Sequence, residues 1–217
     1  MSKGLLAACV LTAVVALAGQ SADRTILLTP EHPEMNRRAP DSCRILLDTS
    51  KGRLILEMTR AWSPHGADRF YNLVRNGYYD DTRVFRIRAA TWAQFGINGR
   101  PDVSTAWRTR TIPDDPRVVS NTRGTVAYAF KDPNGRATQV FINLADNSAT
   151  HDREPFVPFA RVVEGMEVAD AWYADYGERS GGGIRAGKQD VLFSEGNAYL
   201  DREFPKLDSI RRATILP

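Results

Sequence analysis

The 217 residues suit one domain of ordinary size with a full core, and 29 basic against 26 acidic side chains leave a net charge of only +3. The basic residues are 24 Arg and 5 Lys spread evenly along the chain, which argues against nucleic-acid binding, since that needs a concentrated positive stripe. Of the two cysteines, Cys9 falls in a leader, so Cys43 alone remains after processing and no internal disulfide can form.

Met1-Ser-Lys gives a short positive start, residues 4–18 form an apolar run, and small residues at Ala16-Leu-Ala18 or Ser21-Ala22 offer cleavage points. This reads as a secretory signal peptide over residues 1–18, with cleavage as late as 22, so the protein is expected to be exported, periplasmic or extracellular. The run is too short to span a bilayer, and the mature form is expected to carry no membrane span. Leu6-Ala-Ala-Cys9 resembles a lipoprotein site but lies in mid-run, with apolar residues continuing after it. Residues 19–42, rich in Pro, Arg and acids, read as an extended N-terminal arm before a domain at 43–217.

Residues 43–48 and 53–58 alternate on either side of Ser50-Lys51-Gly52, a hairpin with glycine in its turn. Ser63 then reads as a helix cap with Pro64 at the first helical position, Ala67, Phe70, Leu73 and Val74 make one face, and Asn76-Gly77 ends it. Asp80-Asp81 and Asp114-Asp115 sit among turn formers and read as turn chemistry rather than as catalytic acids. Val84, Arg86 and Arg88 alternate with Phe85, Ile87 and Ala89, a strand with two unlike faces. Gln94 lies between Trp92 and Phe95, where a buried amide requires a partner. Residues 99–121 read as a long polar loop packed down by Trp107. A second strand puts Gln139, Phe141 and Asn143 on one face and Val140, Ile142 and Leu144 on the other. Together the two strands offer Arg, two Gln and Phe, a set suited to holding a peptide.

After a loop at 144–155, a strand is expected at 156–163, and Glu164-Gly165 opens a helix with Val168, Ala171 and Trp172 facing inward. Gly181-Gly182-Gly183 lacks the strand and helix flanks of a phosphate loop, and residues 209–215 form a closing strand. His32, His65 and His151 are dispersed with no HExxH or CxxC, so no metal or cofactor is expected. Ser148, His151 and Asp152 share one loop, whereas a triad needs separate rigid elements, so they read as loop polarity. Cys43 reads as a small buried hydrophobe.

The ordered series TSKGRLILEM (49–58), ADRFYNLVRNGYYDDTRVFR (67–86), RGTVAYA (123–129), QVFIN (139–143) and FARVVEGMEVAD (159–170) resembles the cyclophilin-type peptidyl-prolyl isomerases over residues 44–215. The resemblance implies a mainly β fold, a closed antiparallel eight-stranded barrel capped by two α-helices. It implies a monomer acting on proline-containing peptides or unfolded exported proteins. Arg86 falls on the catalytic arginine and Gln94 on the glutamine that binds the substrate backbone. Gln139 and Phe141 match a Gln-Phe-Phe pattern, with Phe141 a wall of the proline pocket, and Tyr128, Ala129 and Phe130 fall on the edge that pairs with an extended peptide. Thr91 and Trp92 stand where the family has a pocket Phe and Met; Thr150-His151-Asp152-Arg153, followed by Phe156, replaces a segment that begins with Trp. Thr91 in place of an aromatic wall removes on the order of 1–3 kcal/mol of apolar contact, which Trp92 partly refills. Arg88 adds a second charge at the mouth, and loss of the indole implies weak cyclosporin binding.

Rotation about an X-Pro bond is slow because the amide loses conjugation at the twisted transition state. A catalyst needs no nucleophile or cofactor: it must hold the flanking chain, seat the proline ring and favour the twisted amide, whose nitrogen has regained its lone pair. A guanidinium is a permanent donor suited to that nitrogen. Five decades of acceleration would require roughly 7 kcal/mol of differential binding. Two readings of different class follow: an exported prolyl isomerase with Arg86 catalytic, and a peptide-binding module of the same fold with little or no turnover. Retention of Arg86, Gln94 and Gln139 together favours the first; Thr91 and Thr150 favour the second.

Overall fold

A computed structural model describes residues 24–183 and 188–217; the leader at 1–18 lies outside them. Strand alternation builds the first hairpin as expected. Strands β1 (Ser42–Thr49) and β2 (Gly52–Thr59) pair from Ser42 opposite Thr59 to Thr49 opposite Gly52, with Ile45, Leu47, Leu54, Leu56 and Met58 buried. Gly52 takes a φ of +132°, which a side chain would disfavour. Helix α1 (Pro64–Arg75) buries Ala67, Phe70, Leu73 and Val74, the face its spacing demands. Cys43 lies on β1, where burial pushes its thiol up to about 11, so it is no thiolate nucleophile.

The sheet is a nine-stranded curled half-barrel rather than a closed eight-stranded barrel. Its other strands are β3 (Thr82–Arg83), β4 (Arg86–Arg88), β5 (Trp92–Phe95), β6 (Thr125–Tyr128), β7 (Val140–Asn143), β8 (Pro158–Glu164) and β9 (Ser209–Ile215), in the order β3-β9-β1-β2-β8-β6-β7-β5-β4. The two edges, β3 and β4, are consecutive in the chain, separated only by Val84 and Phe85. They do not pair with each other. Val84 N donates to Asp208 O (2.8 Å) and Ile87 N to Gly177 O (3.1 Å), so loop backbone satisfies what barrel closure would have satisfied.

Helices are more numerous than the expected two. Within residues 99–121, Pro101 starts helix α2 (Pro101–Trp107), and buried Trp107 donates from Nε1 to Leu27 O at 2.8 Å. Short helices α3 (Ser148–His151), α4 (Met166–Asp170), α5 (Asp190–Glu195) and α6 (Asn197–Glu203) follow. In α4 and just beyond it, Ala169 and Trp172 are buried and Val168 partly so, whereas Ala171, expected inward, is exposed. Helices α5 and α6 bury Leu192, Phe193 and Leu200 against Phe85 and Ile97 in a second, smaller core. The N-terminal arm is not extended from Arg24 onward. It makes 3-10 turns at Arg24–Leu28 and Pro33–Met35 and inserts Leu27, Met35 and Ala39 into the main core.

Ser63 stands at the N-cap of α1, yet its hydroxyl makes no bond to the helix. Asp115 caps instead: its carboxylate accepts from His65 N and Gly66 N (both 3.1 Å) and from Ser63 Oγ (2.5 Å). An acid read as turn chemistry thus satisfies the exposed amides of a distant helix start. It is paired with Arg136, whose side chain has no exposure.

Candidate functional site

Directly opposed residues on paired strands share a face. Arg86 on β4 lies opposite Gln94 on β5, Gln94 opposite Phe141 on β7, and Phe141 opposite Ala127 on β6. The sequence patterns of two distant strands therefore meet as one transverse row. Arg86 Nη1 donates to Gln94 Oε1 (3.1 Å), Gln94 Nε2 to Gln139 Oε1 (2.8 Å), and Gln139 Nε2 to Gln189 Oε1 (3.0 Å). The partner that Gln94 required is Gln139, and the chain of amides orients both.

Arg86 is 11% exposed, its Cζ stands 4.6 Å from the Trp92 ring centroid, and Glu178 lies 3.3 Å from Nη2. Its Nε is buried with no hydrogen-bond partner among the described residues. Orphan buried donors are rare and need a reason, a functional role among them. A cavity of about 420 Å³ is lined by Arg86, Gln94, Gln139, Ala129 and Phe130, together with Arg108 and Phe193.

A cluster of four rings stands around Phe141. Phe156 packs on Phe130 (centroids 4.5 Å apart), Phe141 (5.3 Å) and His151 (4.9 Å), and His151 meets Phe141 edge-on at 5.3 Å. The strand expected from 156 begins at Pro158, which leaves Phe156 free of β8 to join this cluster. His151 was legible only as loop polarity. It is placed by asparagines: Asn147 Nδ2 donates to Asn143 Oδ1 (2.7 Å), and His151 Nδ1 lies 3.2 Å from the same oxygen. Asn121 Nδ2 holds Asp152 Oδ1 and Phe156 O, both at 2.8 Å. Burial pushes the His151 pKa below its ordinary value; Glu154 and Asp152 oppose that and Arg88 reinforces it. Burial beside the phenylalanines thus favours its neutral form.

Of the other expected site residues, Ala129 and Phe130 line the cavity, while Tyr128, Thr91 and Thr150 do not. Tyr128 is fully buried in the core, its hydroxyl donating to Gly66 O (3.2 Å) and its ring 5.1 Å from Phe159. Ala129 N donates to Gln139 O (2.9 Å). Thr91 sits in the β4–β5 turn with Oγ1 on Ala89 O (3.2 Å) and its carbonyl accepting from Asn147 Nδ2 (2.8 Å). Thr150 is exposed, its hydroxyl on Asn147 O (3.1 Å). Gln189, which completes the amide chain, gave no sequence signal, because nothing local distinguishes it from a surface amide.

An arginine beside two amides and a cluster of rings, on the sheet face opposite the one that packs the main core, suits an extended peptide rather than a nucleophilic reaction. The family model described as cyclophilin type peptidyl-prolyl cis-trans isomerase/CLD matches residues 44–183. A peptidyl-prolyl cis-trans isomerase of Streptomyces antibioticus is 34% identical over 133 residues, covering 58% of this chain and 80% of the relative. Peptidyl-prolyl cis-trans isomerase A of Dickeya dadantii is 32% identical over 136 residues, covering 61% and 72%. Among solved structures, a cyclophilin type peptidyl-prolyl cis-trans isomerase of Cryptosporidium parvum, crystallised in the presence of the dipeptide Ala-Pro, matches with a TM-score of 0.58 at 17% identity over 80% of this chain and 99% of its own. The chain belongs to the cyclophilin-type peptidyl-prolyl cis-trans isomerases, and its reaction is the cis-trans isomerisation of peptidyl-prolyl bonds. Among the described residues no helix is long and apolar enough to cross a membrane.

Proposed function

We propose that this protein is an exported, monomeric isomerase that assists the folding of proline-containing chains outside the cytoplasm, with Arg86 stabilising the twisted amide. The observation that carries the reading is the row Arg86–Gln94–Phe141 with Gln139 bonded beside it. In this arrangement Gln94 and Gln139 hold the substrate backbone, Phe141 and Phe156 take the proline ring, and the guanidinium addresses the amide nitrogen as it becomes pyramidal. No proton changes hands, so catalysis rests on differential binding of the twisted state.

Export is supported by the basic start and apolar run of residues 1–18. Processing at 18 to 22 also leaves intact the segment that places Leu27 in the core. N-terminal sequencing of the protein recovered from the producing cell tests it: a start within residues 19–23 supports export, and an intact Met1 refutes it.

The catalytic assignment is tested by a protease-free exchange assay on a short X-Pro peptide, comparing the mature protein with Arg86→Ala. Turnover in the first and its loss in the second, with peptide affinity largely kept, is the expected result. Equal turnover in both removes Arg86 from the mechanism; turnover in neither leaves a peptide-binding groove.

A further inference from the structure

We propose that Glu178 is a positioning residue for the isomerisation, and that Glu178 and the Gly181 backbone together hold the Arg86 side chain where it acts. The proposal rests on the reading of Arg86 as the catalytic group. Arginine has a long flexible stem, and its rotamer freedom must be removed before its donors can favour one transition state over a ground state. Three contacts remove it here. Trp92 lies under the guanidinium, Gln94 takes Nη1, and Glu178 Oε2 lies 3.3 Å from Nη2 at the opposite end of the fork. A guanidinium 11% exposed also needs a counter-charge, and Glu178 supplies it.

Gly181 supplies the fourth constraint. A Cβ there would stand 2.6 Å from Arg86 Cβ and 2.8 Å from both Cγ and Cδ, so the stem of Arg86 lies directly on glycine backbone. The segment carrying both residues is tied to the site at two further points. Gly177 O accepts from Ile87 N (3.1 Å), and Gly181 O accepts from Gln189 Nε2 (3.3 Å), whose amide is paired with Gln139. One stretch of chain thus clasps the arginine and the substrate-facing glutamine together.

The sign of the effect separates positioning from mere neutralisation. A carboxylate beside the guanidinium weakens the positive field at the substrate nitrogen. If charge were all that mattered, removing Glu178 would raise turnover. If orientation dominates, removing it lowers turnover.

The test is a double-mutant cycle on the mature protein, with kcat and KM for a short X-Pro peptide measured by protease-free exchange. Glu178→Gln, which keeps shape and removes charge, is expected to lower kcat about tenfold, inside the range of coupling between contacting residues, with KM within twofold. In the Arg86→Ala background the same change is expected to do nothing further. A general structural role would lower both backgrounds alike. Unchanged or raised turnover in Glu178→Gln overturns the proposal, as does an equal fall in both backgrounds. Full turnover in Arg86→Ala alone marks the failure of the underlying reading and takes the proposal with it. Should Glu178→Gln fail to fold by circular dichroism, Gly181→Ala carries the test: a lowered kcat at unchanged KM supports the proposal, and wild-type turnover refutes it.

Discussion

Asp115→Asn is the perturbation that most directly probes how the site is carried. Asp115 accepts from Ser63 Oγ (2.5 Å), His65 N and Gly66 N (3.1 Å each) and Arg136 Nη2 (3.0 Å), and its side chain is 3% exposed. The asparagine retains an acceptor for the helix start but takes one of two counter-charges from a fully buried cation. Removing one partner of a buried pair costs about 3–5 kcal/mol. Arg136 keeps Asp114 at 3.1 Å and the Pro113 carbonyl, which places the loss at the low end, about 3 kcal/mol. For a chain of this size that corresponds to a melting temperature lower by about 6–12 °C. Differential scanning calorimetry of the mature protein measures it. Asp115→Asn/Arg136→Met, which removes the under-compensated buried charge as well, is expected to regain about half of the loss or more. A single variant within about 1 kcal/mol of wild type, or a double variant less stable than the single, would refute the reasoning. The acid limb gives a second check. Burial works to raise the Asp115 pKa, but the bonds from Ser63, His65 and Gly66 and the Arg136 charge outweigh it and hold the carboxyl below its usual range. Its contribution is then complete above the unfolded value of about 3.9 and is lost as pH falls through the lower folded value, so Asp115→Asn should flatten this part of the profile. The site feels the change because Ile112 N donates to Arg136 O (2.8 Å), and Gly135 and Ala137, on either side of Arg136, line the cavity.

Phe156→Ala removes a ring that touches three others, and it should weaken peptide binding by about 1–3 kcal/mol, read as a raised KM with Arg86 chemistry intact. His151 has a depressed pKa, so its neutral ring stabilises the fold fully above about 6.5, and that stability is lost as pH falls through the lower folded value. Unfolding curves between pH 7 and 4.5 should show that dependence, and His151→Phe should remove it. Trp107→Ala should cost about 3–5 kcal/mol in urea unfolding, because it empties a core position and frees the Leu27 carbonyl that anchors residues 24–28.

What was legible in the sequence was whatever depends on near neighbours. The hairpin of β1 and β2 shows itself because each strand has one buried and one wet face, and α1 because its apolar face recurs at helical spacing between a proline and a glycine. Gln94 announced itself by being an amide in an apolar string, and its bond to Gln139 is the reason it can be there. Features set by distant chain were not visible. Leu27, Met35 and Ala39 are isolated apolar residues without period, so their burial could not be read locally. Asp115 looks like any acid between prolines, although it caps a helix made of earlier residues. Failure of the barrel to close depends on whether two short edges meet in space, and Val84 and Ile87 find other acceptors.

The same distinction decides how the pocket substitutions at 91 and 150 should be read. Taken position by position, Thr91 and Thr150 look like lost apolar walls. Yet the Thr91 hydroxyl is turned onto Ala89 O within its own turn, and the Thr150 hydroxyl onto Asn147 O at the start of α3. The rings packed on Phe141 are those of His151 and Phe156, with Phe130 against Phe156. A pocket is a property of neighbours in space, and here the rings packed on Phe141 come from the loop after β7. Thr91→Val, which keeps volume and loses only the turn hydroxyl, should therefore leave KM for an X-Pro peptide within twofold of wild type while Phe156→Ala raises it. If Thr91→Val changes KM as much as Phe156→Ala does, the proline ring sits against residue 91, and the four-ring cluster is core packing rather than the substrate wall.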